Sequence, residues 1–357
     1  MHPTAVALIE PQALRHNAQL LHHHTGKPLL AVLKANAYGH GIPLIAPLLE
    51  PLPEVWGYAV ASGPEAQQVR QSGCQKPILL LSPPDARDIP ELHRLGVRFT
   101  LSHQEELSLL PAGAQVHLKI NTGLNRLGAR PEEVSDLLDA LQAHNVHLEG
   151  CFAHFAFADQ QDLIRARHEW HLFKQVIPLL PAQTLKHMGA SEGVLALGQD
   201  TAFDLIRPGM ALFGNVCAGH LRGKLPLKPV MTLKARICHL HEVRPGETVS
   251  YEGRWQATHP TRVAVVQIGY ADGYPIQAAG KSCVVVQGEK RPTLGLFGMD
   301  QLMVDVTGLS VQVGDWVELF NATTLTADQV SDWGNTISSQ MLSCLGSRIQ
   351  RIVTAET

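Results

Sequence analysis

The sequence predicts an α/β chain: an amino-terminal (β/α)8 barrel of the TIM type, followed by a mostly β carboxy-terminal domain. Three observations carry this expectation. Short apolar runs alternate with helically patterned segments through the first two-thirds of the chain. After Gly214 that alternation stops, and apolar runs recur between turn residues. Polar residues capable of chemistry collect at the ends of the early runs, where barrels of this kind build their sites.

The barrel strands are expected at 29–34, 55–60, 77–81, 98–101, 116–121, 148–153, 184–188 and 204–213. Short apolar runs bounded by turn residues read as buried strands. Between them lie segments such as 131–145, where Val134, Leu137, Leu138 and Leu141 recur at helical spacing. Eight such units occupy roughly 220 residues, enough chain for a barrel. A doubly wound open sheet is the competing arrangement for alternating strands and helices. Residues 215–230 hold Gly, Pro and Lys without a period and read as a linker. Beyond it, strands are expected at 233–243, 262–268, 283–286, 302–306 and 316–319. Arg244-Pro-Gly-Glu247 and Val313-Gly-Asp315 have tight-turn composition. One helix is expected over 336–348. The domains divide accordingly into 1–228 and 229–357.

Composition narrows the function. Over 357 residues the formal charge is −3, so no basic footprint for nucleic acid exists. No apolar run approaches the ~20 residues that span a bilayer. The opening Met-His-Pro-Thr does not read as a signal peptide. Six cysteines are scattered without a CxxC pair, a usage that fits free thiols in a reducing cytoplasm. His22, His23 and His24 are consecutive, and neighbours on a helix point in different directions. A solvated helix face is therefore expected there, and no metal.

The chemistry gathers at one rim. Run one ends in Lys34, with Tyr38 close behind; a lysine desolvated at a strand end favours its neutral amine and suits Schiff-base chemistry. The fifth run leads into Lys119-Ile-Asn-Thr-Gly-Leu-Asn-Arg126-Leu-Gly128, and the sixth into Phe152-Ala-His154-Phe-Ala-Phe-Ala-Asp159. The seventh leads to Ser191, and the eighth carries Arg207-Pro-Gly209-Met210. Loops after the last two strands are the usual barrel phosphate site, which suits Ser191 and the amides of Gly209 and Met210.

These segments bear a family likeness. AVLKANAYGHG around Lys34, KINTGLNRLG, AHFAFAD, IRPGMALFG, VSYEG at 249–253, GYADGYP at 269–275, GMDQLMVDV at 298–306 and TISSQMLSCLGSR at 336–348 follow one another in family order. The chain resembles the bacterial alanine racemases, pyridoxal-phosphate enzymes of fold type III, along nearly its whole length. The resemblance implies interconversion of L- and D-alanine by two bases, supplying D-alanine for peptidoglycan. Lys34 would carry pyridoxal 5'-phosphate and act on the D-enantiomer. Tyr251 would act on the L-enantiomer, its phenolate steadied by His154 and Arg207.

The same resemblance distributes the other roles. Tyr38, Ser191, Gly209 and Met210 match phosphate contacts, and Arg207 faces the pyridine nitrogen. Because guanidinium only donates, that nitrogen must accept and stay unprotonated. His154 lies at the ring. Arg126 and the backbone N–H of Met299 match contacts to the substrate carboxylate. Asp159 and Tyr270 match the substrate entrance, and Lys119 a lysine that many members carbamylate. A head-to-tail homodimer sharing its active sites is implied. The chain departs from the family at Asn121, Glu252, Ile276, Leu296, Gly298, Ser347 and Ala190. None of these is a proton-transfer group; several lie at the entrance, which leaves a broader alanine/serine racemase as the runner-up. A cofactor-carrying barrel with little catalysis and a decarboxylase of related architecture are further alternatives. Tyr251 and Met299 speak against the first, and chain length against the second.

Overall fold

The computed structural model describes residues 3–355 and divides the chain into two compact units. One holds Arg15–Leu212 and Ala218–Leu227; the other holds the chain up to Leu14, Phe213–Cys217 and the remainder from Lys228.

The first strand, β1 (Ala5–Ile9), does not belong to the barrel. It is followed by a helix over Pro11–Thr25. The barrel is closed by eight strands: β2 (Leu29–Val32), β3 (Val55–Val60), β4 (Ile78–Leu80), β5 (Val97–Leu101), β6 (Gln115–Lys119), β7 (His147–Phe152), β8 (Leu185–Ala190) and β9 (Leu205–Arg207). All neighbours run parallel, and the pairing Leu29↔Ile206 between β2 and β9 closes the ring. Parallel strands are covered on both faces, so their sequences are nearly continuous in apolar residues. Leu30, Val32, Ala59, Leu79 and Phe152 form a buried cluster in this unit, with Tyr38 and Trp56 packed against it. Each of the Leu, Val and Phe side chains contributes about 1.5–3 kcal/mol when fully buried.

The second unit is built on an eight-stranded sheet in the order β13-β16-β15-β14-β17-β10-β1-β18. Its strands are β10 (Met231–Val243), β13 (Thr261–Val266), β14 (Cys283–Val286), β15 (Glu289–Leu294), β16 (Leu302–Asp305), β17 (Trp316–Phe320) and β18 (Gln350–Val353), together with β1. A small ladder joins β11 (Thr248–Val249) to β12 (Trp255–Gln256). Strand β10 also pairs with β13, which closes part of the sheet on itself. Pairing is antiparallel except between β1 and β18.

The division differs from a single cut at residue 228. Strand β1 pairs along its length with β10, and residues 218–227 return to the barrel unit across the expected linker. The tail also holds two short helices, Ala327–Trp333 and Ser338–Ser343, instead of one over 336–348. A capping box fixes the first: Gln329 N–H donates to the Thr326 hydroxyl, and Thr326 N–H donates to the Gln329 side chain. Gly334 ends it, and Asn335, at φ 49°, turns the chain before the second. Among the described residues no helix is long and apolar enough to cross a membrane.

Candidate active site

Strand β2 ends at Val32, and Lys34 opens a single turn over Lys34–Tyr38. Ala35, Asn36, Ala37 and Tyr38 all have positive φ, between 50° and 55°. This left-handed turn costs ~1–2 kcal/mol per residue in an L-amino-acid chain. Hydrogen bonds offset the cost. Ala37 N–H donates to Leu33 O at 2.8 Å, and Gly39 N–H to Ala35 O at 3.0 Å. Ala35 N–H donates to Glu65 Oε1 at 2.7 Å, and Ile42 N–H to Asn36 Oδ1 at 2.9 Å. Backbone strain held this firmly is typical of functional sites. Here it fixes the directions of Lys34 and Tyr38. Burial, then the charges of Arg126 and Arg207, lower the Lys34 amine from its usual range, with Glu65 opposing. More of an amine so placed is neutral, the form that can act as nucleophile or accept a proton.

Arg207 closes β9 and is fully buried. It donates to His187 Nδ1 at 2.8 Å, to Ala153 O at 2.7 Å, to Met188 O at 3.0 Å and to His154 Nδ1 at 3.2 Å. Its guanidinium lies 5.1 Å from the centre of the Phe152 ring. Burial pulls its pKa down to about 9, still on the charged side of neutrality. Burial and the Arg207 charge drive His154 well below its ordinary range, so the ring is neutral. Since His154 Nδ1 accepts from Arg207, the proton sits on Nε2.

Ser191 begins the helix Ser191–Leu197, and its buried hydroxyl accepts from Gly209 N–H and Ala211 N–H at 3.1 Å each. Met210 lies between them. A Cβ at Gly209 would collide with the Tyr38 hydroxyl, so only glycine lets backbone and phenol meet there. The result is a concentration of hydroxyl and amide groups.

Arg126 is exposed and has no hydrogen-bond or ion-pair partner among the described residues. Its loop is knitted by Asn121, whose Oδ1 accepts from Gly123 and Asn125 N–H and whose Nδ2 donates to Asn125 Oδ1 at 2.8 Å. Aspartate could accept those amides but could not donate, which gives this departure from the family a purpose. Burial and nearby arginines lower the Lys119 amine far below its ordinary range; it donates to Ile120 O at 3.3 Å.

In the antiparallel unit, Tyr251 is 68% exposed and Met299 54%. Tyr251 stands between Ser250 (φ 69°, ψ −174°) and Glu252 (φ 60°). The first lies in a region essentially reserved for glycine. Ser250 is held by its hydroxyl, which donates to Leu296 O at 2.6 Å. Glu252 occupies a glycine's conformation, so Glu252→Gly is expected to stabilise the fold by up to about 1 kcal/mol in denaturant unfolding, strain relief being partly offset by unfolded-chain entropy. The Met299 loop is tied to the Tyr270 loop: Ala271 N–H donates to Met299 O at 3.0 Å. Arg348 bridges the two loops, donating to Asp272 at 2.8 Å and Asp300 at 2.7 Å.

Of the residues anticipated, the barrel therefore gathers Lys34, Tyr38, Arg126, His154, Ser191, Arg207, Gly209 and Met210, while Tyr251 and Met299 belong to the other unit. Sequence reasoning missed Glu65, His187, Asp272 and Arg348. His187 follows Lys186 in β8, so no isolated polar residue in an apolar run marked it.

Two family models cover the chain: alanine racemase N-terminal domain over residues 9–216, and alanine racemase C-terminal domain over 230–353. The chain belongs to the alanine racemase family. The alanine racemase of Deinococcus radiodurans is 47% identical to it over 99% of this chain and 100% of its own length. That of Deinococcus deserti is 45% identical, covering 99% of each. Among solved structures, the Clostridium difficile alanine racemase superposes with a TM-score of 0.92 at 28% identity, covering 99% of this chain and 96% of its own. The biosynthetic alanine racemase from Pseudomonas aeruginosa gives 0.89 at 30%, covering 99% and 100%. The chain is thus a racemase, an isomerase of this family.

Proposed function

We propose that the chain interconverts L- and D-alanine using pyridoxal 5'-phosphate held on Lys34, with Lys34 and Tyr251 as the two bases. One observation supports this above others: a desolvated lysine amine shares a barrel rim with a buried donor-only arginine and a hydroxyl–amide cradle. That donor set suits the cofactor. Tyr38, Ser191 and the amides of Gly209 and Met210 would hold its phosphate. Arg207 would face the ring nitrogen as a pure donor, keeping it unprotonated. When bound, the cofactor supplies an electron-withdrawing ring that lowers the barrier to α-proton loss.

The protein's own groups do the rest. Arg126 and the Met299 N–H orient the substrate carboxylate. The Lys34 amine moves a proton at one face of the α-carbon, on the D-enantiomer. The Tyr251 phenol moves one at the other face, on the L-enantiomer, with His154 Nε2–H available to steady its phenolate. We infer a homodimer in which Lys34 of one subunit and Tyr251 of the other serve one substrate; the exposure of Tyr251 is in keeping with this. The implied carbamylation of Lys119 draws support from the burial and nearby arginines that favour its neutral amine, the form that adds carbon dioxide. A cytoplasmic setting, with D-alanine passing to peptidoglycan, completes the reading.

The relatives are named for alanine, so the alanine/serine alternative is not favoured. The purified chain supplied with pyridoxal phosphate is expected to racemise L-alanine and to leave L-serine nearly untouched. Absence of D-alanine would refute the reading. Gly209→Ala should weaken cofactor retention by about 1–3 kcal/mol, the range for overpacking, as read by equilibrium dialysis.

A further inference from the structure

Behind Arg207 a chain of hydrogen bonds runs through the barrel interior and ends on a carboxylate. His187 Nε2 and His117 Nδ1 are 2.8 Å apart, and His117 Nε2 is 3.0 Å from Glu149 Oε2. Arg98 holds that carboxylate with two bonds, Nε to Oε2 at 3.0 Å and a terminal nitrogen to Oε1 at 3.2 Å. The chain starts at the last residue of β9, crosses the middles of β8, β6 and β7, and ends near the start of β5.

Its direction follows from chemistry. Guanidinium has only donors, so His187 Nδ1 must accept. A neutral His187 then carries its proton on Nε2 and donates it to His117 Nδ1. That leaves the His117 proton on Nε2, donated to Glu149. Both imidazoles are fully buried, and burial lowers both below their usual range, so neither is a cation at neutral pH. Although partial burial opposes it, hydrogen bonds from His117 and Arg98 pull Glu149 down to about 2, so it is ionised. The sequence leaves room for the chain: Gly150 pairs with His117 across β6 and β7, and a Cβ there would collide with the imidazole. Phe152 stacks on His187, ring centres 4.9 Å apart and planes within 8°.

We propose that His187, His117 and Glu149 form a one-way relay of positioning residues that holds Arg207 in its orientation and partly balances its charge from across the barrel. Among the described residues no carboxylate bonds Arg207 directly; its negative counterpart acts through two oriented imidazoles. This rests on the proposed placing of Arg207 against the cofactor, but the relay can be read without it.

The test uses the holoenzyme labelled with 15N-histidine. At neutral pH, NMR is expected to show His187 and His117 as neutral Nε2–H tautomers, assigned through His187→Asn and His117→Asn. A Nδ1–H tautomer or a cation at either position would overturn the relay. Glu149→Gln keeps shape and removes charge. It should move the His117 Nε2–H resonance upfield and lower kcat by ~10–100-fold, the range for lost outer partners of a functional histidine, with KM for alanine little changed. An unaltered kcat, or a loss confined to KM, would equally overturn it. Gly150→Ala, which displaces the imidazole without touching a charge, should reproduce the kcat effect. Should Lys34→Ala leave the cofactor spectrum unchanged, the cofactor reading would fall while the tautomers stood; wrong tautomers would do the reverse.

Discussion

Lys34→Ala is expected to abolish the long-wavelength absorbance of the bound cofactor and to remove racemisation. The activity loss should reach at least the ~10²–10⁴-fold of a missing acid–base group, because covalent attachment is lost with it. The physical basis lies in the barrel. Burial and the charges of Arg126 and Arg207 favour the neutral amine of Lys34, and the left-handed turn over 35–38 fixes where that amine stands. The variant should fold normally, since among the described residues the bonds that hold the turn come from backbone groups, Glu65 and Asn36, and none from the Lys34 side chain. Circular dichroism checks folding, and absorbance with added pyridoxal phosphate checks attachment. An unchanged spectrum would refute it.

Tyr251→Phe should slow racemisation by ~10²–10⁴-fold. The two enantiomers have equal energies, so kcat/KM must fall alike from either side. Net racemisation therefore cannot say which base serves which enantiomer. Packing losses should be small, because the side chain is largely exposed in its own unit and Phe keeps the ring. Initial rates with both enantiomers, measured by chiral chromatography, give the size of the loss. Near-normal rates would take Tyr251 out of the mechanism.

Much of the fold is legible in the sequence because parallel barrel strands are buried on both faces, leaving continuous apolar runs such as 29–32 and 78–80. Strand β1 is not legible. Ala5–Ile9 is as apolar as any barrel strand, and only its pairing with the distant β10 and β18 assigns it to the other unit. Strand β15 hides behind Glu289, Lys290, Arg291 and Pro292, residues that argue against a strand until its neighbours are known.

The candidate site divides similarly. Lys34, Arg207 and Tyr251 stand in segments whose residue order betrays them. The left-handed turn does not, since Ala-Asn-Ala-Tyr is compatible with an ordinary helix and strain leaves no mark in composition. The relay is equally hidden. That His117, His187 and Glu149 converge depends on register across three strands, which no local pattern encodes. Arg348 is another case: it lies in a family motif, but its bridge to Asp272 and Asp300 joins segments far apart in sequence.

The two-base proposal is tested most directly by α-proton exchange in deuterated water, followed by proton NMR for the native chain and Tyr251→Phe. The native chain should label both enantiomers. With Tyr251→Phe, D-alanine should still exchange its α-proton, through the remaining lysine amine, while L-alanine exchanges slowly if at all. Loss of exchange from D-alanine with retention from L-alanine, or equal labelling of both, would contradict the assignment of one amine and one phenol to opposite faces of the substrate.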